Sequence, residues 1–373
     1  MKEKIRTEKS AVSGEYSLLG RSGLAVSPLC LGTMTFGTEW GWGTDAATSR
    51  AVFDRYVASG GNFIDTADGY TNGTSETLLG QFMRAAGNRD RLVVATKFTF
   101  NAHAGDPNAG GNSRKNIYRA LESSLRRLQT DYVDLYWMHA WDSQTPVDEV
   151  LYTLDSLVKA GKVRYIGLSD TPAWYAARAQ TLAELKSWAP VCALQLEYSL
   201  VERNIEREHI PAALELGWGV CPWSPLAGGF LAGKYRQEKG GTSGAGRLDP
   251  TKGPGNPYFQ RFTERNWRIL DALTEVSKEA DRRPAQVALN WITRRPGVAS
   301  TIIGATSVAQ LEDNLRALDF VLPHQASEKL EAASRPEAVF PYTFFGPPMQ
   351  GMVRGGASVR REPPWFRECQ CHG

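Results

Sequence analysis

Eight times along this chain a short apolar run gives way to a longer segment whose apolar residues recur every three or four positions. A short, wholly apolar run reads as a strand buried on both faces, and a helix after each one obliges successive strands to run parallel. The first strand is Leu29-Cys30-Leu31-Gly32, followed by a Gly- and aromatic-rich loop over 33–43 and a helix over 45–59 that Gly60-Gly61 ends. Asn62-Phe63-Ile64 precedes a helix over 75–86, residues 92–97 precede one over 113–128, and 133–138 precede one over 147–160. Residues 165–168 lead to a helix over 172–188, where Pro172 suits a first turn. Residues 193–196 lead to one over 206–216, residues 219–223 form the seventh strand, and 301–303 form the eighth before a helix over 307–318. Eight such units predict an α/β protein with the (β/α)8 architecture of a TIM barrel. A doubly wound sheet would open with a Gly-rich dinucleotide turn after its first strand, and none is present. Gly244-Ala245-Gly246 has the spacing of such a turn, but no strand precedes it and the surroundings are Gly- and Ser-rich, so it reads as a loop.

Three stretches depart from the repeat. Tyr16-Ser17-Leu18-Leu19 and Leu24-Ala25-Val26 flank Gly20-Arg21-Ser22-Gly23 and predict an N-terminal β-hairpin. Residues 236–257 are rich in Gly and Pro and predict a mobile loop, followed by helices over 263–280 and 284–294, one more than the repeat needs before its last strand. Beyond Arg335 the chain turns aromatic and proline-rich, a composition expected to be extended and non-helical. The tail's place is left open among the barrel mouth, a neighbouring subunit in a homo-oligomer and the barrel's own flank. The expected division is an extension over 1–15, a barrel over 16–333 and a tail over 334–373.

A formal net charge of +3 on 373 residues lacks the excess of cations that a nucleic-acid partner demands. The first nine residues mix charges without an apolar core, so no secretory signal is expected there. No apolar run approaches the ~20 residues that span a bilayer. A soluble, cytoplasmic protein is expected, with no membrane partner. Cys30, Cys192 and Cys221 lie in apolar strands and read as buried small hydrophobes. Cys369, Cys371 and His372 form an incomplete metal set, and no metal site is expected.

The ionisable residues of the strands converge. Asp65 ends the second strand, Lys97 the third and His139 the fourth, while Tyr70 follows Asp65 in a Gly-containing loop. In a parallel α/β protein the carboxyl ends of strands are where ligands bind. A phenol that ionises near pH ~10 is a weak acid at neutrality, and an ammonium beside it lowers that value. A carboxylate would hold the ammonium in place, and a histidine would orient a substrate oxygen.

Asp65, Tyr70, Lys97 and His139, in this order on these strand ends, resemble the catalytic tetrad of the aldo-keto reductases. The resemblance runs from about Tyr16 to Ala333. It implies hydride transfer between a nicotinamide cofactor and a small-molecule carbonyl or alcohol, with Tyr70 as the acid. Independently of it, a barrel builds phosphate sites from the loops after its last two strands and a helix N-terminus. Here those loops are Trp223-Ser224-Pro225-Leu226-Ala227-Gly228-Gly229, with Lys234 beyond, and Gly304-Ala305-Thr306-Ser307 opening a helix.

The resemblance implies that Trp223 stacks on the nicotinamide, that Ser169 and Gln195 hydrogen-bond its carboxamide, and that Ser224, Leu226 and Gly228 line the pyrophosphate. By the same resemblance Thr306 and Gln310 take the 2′-phosphate and ribose, Asp313 and Asn314 the adenine, while Gly32, Thr33, Met34, Asp65 and Gly304 border the cofactor. Asp170 departs from the family, where many relatives carry asparagine, and reshapes the carboxamide contact. A 2′-phosphate wants cations, and Lys234 and Arg247 are the candidates. NADP(H) is therefore expected over NAD(H), although Thr306 stands where several relatives place an arginine. The substrate pocket is expected to be aromatic, from Phe36, Trp40, Trp42, Phe98, Trp141 and Trp174, with Trp40 and Trp42 equally suited to packing loops together. Some relatives in this family serve as channel accessory subunits and keep the same tetrad, so a slow nucleotide-binding subunit is the rival expectation.

Overall fold

The computed structural model describes residues 15–238, 241–243, 248 and 260–357. A hairpin of β1 (Ser17–Leu18) and β2 (Ala25–Val26) leads into the repeat. In order follow β3 (Leu29–Gly32), α1 (Ala46–Ala58), β4 (Phe63–Asp65), α2 (Thr74–Ala86), β5 (Val93–Phe98) and α3 (Arg114–Leu128). Next come β6 (Val133–Met138), α4 (Val147–Lys159), β7 (Val163–Ser169), α5 (Ala173–Lys186), β8 (Val191–Glu197), α6 (His209–Leu216) and β9 (Gly219–Trp223). A short antiparallel pair, β10 (Arg236–Glu238) and β11 (Gly241–Ser243), precedes α7 (Glu264–Ala280), α8 (Pro284–Thr293), β12 (Thr301–Ile303) and α9 (Val308–Leu315). The chain continues through α10 (His324–Ser334) and α11 (Pro347–Val353).

Eight parallel strands run in the order β12-β3-β4-β5-β6-β7-β8-β9. The last gap is bridged beside β12, where Val220 N donates to Gly297 O at 2.8 Å and Ala299 N to Val220 O at 2.9 Å. The predicted (β/α)8 barrel is thus the observed fold. Side chains alternate between two apolar layers, as the pleat requires. Cys30, Phe63, Ala95, Leu135, Trp137, Ala193 and Cys221 fill one cluster, and Leu31, Ile64, Val94, Tyr136, Ile166 and Leu194 pack with the helices in the other. Burial pushes the thiols of Cys30, Cys192 and Cys221 up, that of Cys192 to about 12, in keeping with an inert role.

The hairpin seals the amino end of this interior, since its Leu19 and Val26 belong to the same cluster as Cys192 and Cys221. Gly20 makes that seal, with a left-handed φ of +59° and a Cβ position that would lie 2.3 Å from Cys192 O. Tyr56 pins α1 to the strands: its hydroxyl lies 2.8 Å from Leu29 O, 2.8 Å from Phe63 O and 2.8 Å from Ser27 Oγ, fully buried. Tyr56→Phe leaves these acceptors with one donor fewer. It is expected to cost about 1–3 kcal/mol, read as a lower urea midpoint with an unchanged slope.

Two expectations need correction, and one helix went unpredicted. The segment predicted as a mobile loop over 236–257 carries, in its described part, the β10–β11 ladder, Arg236 opposite Ser243. Helix α10 was not legible as a separate element and packs on α7, which makes α7 the supernumerary helix. The tail expected to be non-helical forms a 3₁₀ turn at Tyr342–Phe344 and then α11, because its prolines fall at the first helical positions, where a missing N–H costs nothing. Of the three places left open for the tail, its described part occupies the barrel's own flank. Tyr342 Oη donates to Glu208 Oε1 at 2.6 Å and Arg207 Nη2 to Glu337 O at 3.1 Å. Cys369, Cys371 and His372 lie outside the described residues.

Candidate active site at the carboxyl end of the barrel

Register brings the ionisable residues together. Asp65, the last residue of β4, pairs with Ala95 of β5, and Lys97 two residues on pairs with Trp137 of β6. His139 follows β6 directly, its N donating to Phe98 O at 3.1 Å. Tyr70 opens a tight 3₁₀ turn in which Thr71 and Asn72 adopt left-handed φ values of 45° and 55°. Thr71 Oγ1 holds that turn by donating to Phe36 O at 2.7 Å.

Lys97 is fully buried, and each of its three protons has an acceptor. Nζ donates to Asp65 Oδ2 at 2.5 Å, to Thr66 O at 2.9 Å and to Tyr70 Oη at 3.0 Å. The other carboxylate oxygen of Asp65 accepts from Gln195 Nε2 at 3.0 Å. Burial opposes the charge on Lys97, but Asp65 and Tyr70 outweigh it and the pKa rises. For Tyr70 burial is the largest influence and raises the pKa, while Lys97 pulls it down without prevailing. The expectation that Lys97 acidifies the phenol therefore holds for its contribution and not for the net shift. Because Tyr70 Oη accepts from Lys97, its own proton is directed elsewhere.

His139 stands edge-on to the Tyr70 ring, with centroids 5.8 Å apart. Burial, seconded by Lys97, lowers its pKa well below the usual range, so the imidazole is neutral. Its Nδ1 is buried without a hydrogen-bond partner. Trp40 stands edge-on to Tyr70 at 6.4 Å and is itself packed by Trp42 at 5.4 Å. Both tryptophans are partly exposed and pack on each other, so the loop-packing contact is present and a face of each stays accessible. Phe100, which sequence reasoning missed, stands 4.6 Å from the His139 ring and is 55% exposed. The signal was its place three residues beyond Lys97. Trp141 packs on Trp174 at 5.9 Å beside the same mouth, its N donating to Asp170 O at 3.3 Å. Two pocket expectations are overturned. Phe36 and Phe98 are wholly buried, one against Phe82 and the other against Tyr136, and offer no surface to a ligand.

The residues expected around a cofactor divide likewise. Ser169 ends β7 with a buried Oγ that has no partner. Asp170 beside it accepts from Trp223 Nε1 at 3.0 Å, and the half-buried Trp223 ends β9. Ser224 and Gly228, with φ of 52° and 67°, turn the following loop back on itself, and Leu226 lies between them, partly buried. Left-handed non-glycine residues otherwise close helices, at Gln129, Ser187 and Asp281, or gather on the mouth loops at Thr71, Asn72, Thr99, Asp170, Ser224 and Ala227. Backbone strain of about 1–3 kcal/mol per residue thus gathers mainly on the loops at the carboxyl end of the barrel.

Gly32 and Thr33 are buried, and Thr33 spends its N–H and hydroxyl on Asp65 O and Ser75 Oγ, so Thr33 braces the strand end and presents nothing to a ligand. Met34 is partly buried and Gly304 exposed. Thr306 N and Oγ1 both donate to Gln310 Oε1, at 2.9 and 3.0 Å, and Ser307 caps α9. Asp313 accepts from Gln286 Nε2 at 2.9 Å, while Asn314, buried, donates to Gly304 O at 3.4 Å. Lys234 is exposed, and Arg247 lies outside the described residues. Among the described residues no cluster of three His, Cys, Asp or Glu is arranged to hold a metal, and no helix is long and apolar enough to cross a membrane.

The model of the aldo/keto reductase family matches residues 28–335. The chain is 39% identical over 318 residues to the uncharacterized oxidoreductase YrpG of Bacillus subtilis, covering 83% of this chain and 92% of that one. It is 34% identical to the NADP(+)-designated aryl-alcohol dehydrogenase of Phanerodontia chrysosporium, over 87% of this chain and 86% of the relative. Norsolorinic acid reductase of Aspergillus flavus is 32% identical over 90% of this chain and 85% of its own length.

Proposed function

Because this chain belongs to the aldo/keto reductase family, we propose that it reduces an aldehyde or ketone to the alcohol, and reverses that reaction, with NADP(H) as hydride partner and Tyr70 as acid. Its place among relatives named as oxidoreductases supports an oxidoreductase in general. The observation carrying the finer reading is the saturated ammonium of Lys97, whose bond to Tyr70 Oη leaves the phenol proton to point away from it.

When bound, the nicotinamide supplies hydride to the carbonyl carbon. The unpartnered Ser169 Oγ, the half-exposed indole of Trp223 and the sharply turned loop at Ser224 and Gly228 fit such a group. Tyr70 gives its proton to the oxygen of the forming alkoxide, a far stronger base than a phenolate, so a phenol with a raised pKa still transfers downhill. Lys97 then stabilises the phenolate left behind, and Asp65 keeps Lys97 in place between two strands. Neutral His139 donates a hydrogen bond to the carbonyl oxygen and adds no competing charge. In the oxidative direction the same groups work in reverse, with Tyr70 accepting the proton.

The rim of Trp40, Phe100 and Trp141 suits a flat aromatic carbonyl compound, in keeping with a relative named for aryl alcohols. Lys234 would meet the 2′-phosphate. Steady-state turnover with NADPH and NADH against paired aryl and aliphatic aldehydes tests the reading. NADPH is expected to be preferred, and aryl aldehydes to lead by about tenfold in kcat/KM, the worth of one well-placed aromatic contact. Tight dinucleotide binding without turnover on any carbonyl compound would instead favour an accessory subunit.

A further inference from the structure

We infer that Asp170, held at the end of β7 against the Trp223 indole, carries the charge that sets the relative affinity of this protein for oxidised and reduced dinucleotide. The inference rests on the nucleotide-dependent reading above and adds to it a residue that the tetrad does not use. Asp170 follows Ser169 at the end of β7 with a left-handed backbone, φ 45°, which a short polar side chain tolerates. Three bonds fix it there. Its N donates to Gln195 O at 3.1 Å, its carbonyl accepts from Trp141 N at 3.3 Å, and its carboxylate accepts from Trp223 Nε1 at 3.0 Å. A carboxylate is thereby held in the plane of the indole that ends β9, at the mouth and open to solvent.

The charged neighbours come from several elements. Lys97 of β5 and Tyr70 after β4 both sense Asp170, as does Glu197 at the end of β8, which is ion-paired with Arg261. Although Asp170 reaches solvent at the mouth, the protein packed around its carboxyl group pushes that group up to about 6, with the Trp223 hydrogen bond and Lys97 pulling against it. Asp170 is therefore neutral below that value and anionic above it. The oxidised nicotinamide ring is a cation and the reduced ring is neutral, so the anion favours the oxidised form. Raising the pH through about 6 should tighten NADP⁺ relative to NADPH. The 2′-phosphate titrates nearby but is common to both forms and cancels in their ratio. Burial and Lys97 lower the pKa of His139, so its charge is disfavoured in the same range. Glu197, raised by burial to about 7 with Arg261 opposing, is the one neighbour that titrates in the same range and needs its own control.

The test is equilibrium binding of NADP⁺ and NADPH from about pH 5 to 8, followed by quenching of tryptophan fluorescence, with no substrate present. The ratio of the NADP⁺ to the NADPH dissociation constant should fall about three- to tenfold over that range in the unmodified protein. It should be flat in Asp170→Asn, an isosteric change that suits the left-handed backbone, and should keep its step in Glu197→Gln. A flat ratio in the unmodified protein overturns the inference, as does a step that survives Asp170→Asn and vanishes in Glu197→Gln. Both outcomes leave the functional reading intact. Failure to bind either nucleotide overturns that reading and this inference with it.

Discussion

Tyr70→Phe is expected to lower carbonyl reduction by about 10²- to 10⁴-fold, the usual worth of a positioned general acid. The substitution removes one oxygen and leaves the ring edge-on to Trp40 and His139. Lys97 loses one of its three acceptors and keeps Asp65 and Thr66 O, so the ion pair survives. The nucleotide candidates on β7, β8, β9 and α9 are untouched, and dinucleotide affinity should stay within about twofold if binding and chemistry draw on separate contacts. The loss should thus fall on kcat. Single-turnover reduction monitored by NADPH absorbance, beside a nucleotide titration, separates the two effects. A variant that reduces aldehydes at the parental rate would remove Tyr70 from the role of acid. A variant that no longer binds nucleotide would show a structural role instead.

Arg203→Met is expected to destabilise the protein by about 3–5 kcal/mol, since breaking a buried ion pair strands its partners. Arg203 is only 2% exposed and ties the loop after β8 to the end of α10. Its guanidinium donates to Glu206 Oε2 at 2.7 Å, to Glu331 Oε1 at 2.6 Å and to Ser334 Oγ at 2.7 Å. Arg295 reaches Glu331 Oε2 at 3.1 Å, and both guanidiniums lie over the Trp291 ring, 5.2 and 4.8 Å from its centroid. Methionine matches the stem but leaves Glu206 and Glu331 with a single cation between them. Urea unfolding should show the loss as a lower midpoint. Recovery in the triple variant with both glutamates made glutamine would assign the cost to stranded charge, whereas a midpoint within error of the parent would mean the cage contributes no net stability.

Much of the barrel was legible because its signals are local. Strand and helix periods are properties of neighbouring residues, and Pro172 and Gly60-Gly61 mark helix ends within a few positions. Helix α10 escaped because its burial is confined to Ala326, Leu330 and Ser334, too sparse a stripe to stand out before the structure set it against α7. The aromatic pocket was harder. Phe36 and Phe98 lie beside loops that face the mouth, but the pleat turns Phe98 outward against Tyr136 while its neighbour Lys97 turns inward. A one-residue step along a strand reverses the face, and composition carries no record of it.

From the sequence alone came the alternation of strand and helix, hence a closed parallel barrel, and with it the rim at which Asp65, Lys97 and His139 must emerge. Each of those depends on local period and on the direction of a parallel strand. Only the tertiary structure decided that Lys97 would be saturated, that burial would outweigh it at Tyr70, and that Asp170 would be held against Trp223. It alone joined Arg203 to Glu331, 128 positions later. Contacts of that kind link residues whose spacing in the chain carries no period, and their strength depends on how much water the packed barrel excludes.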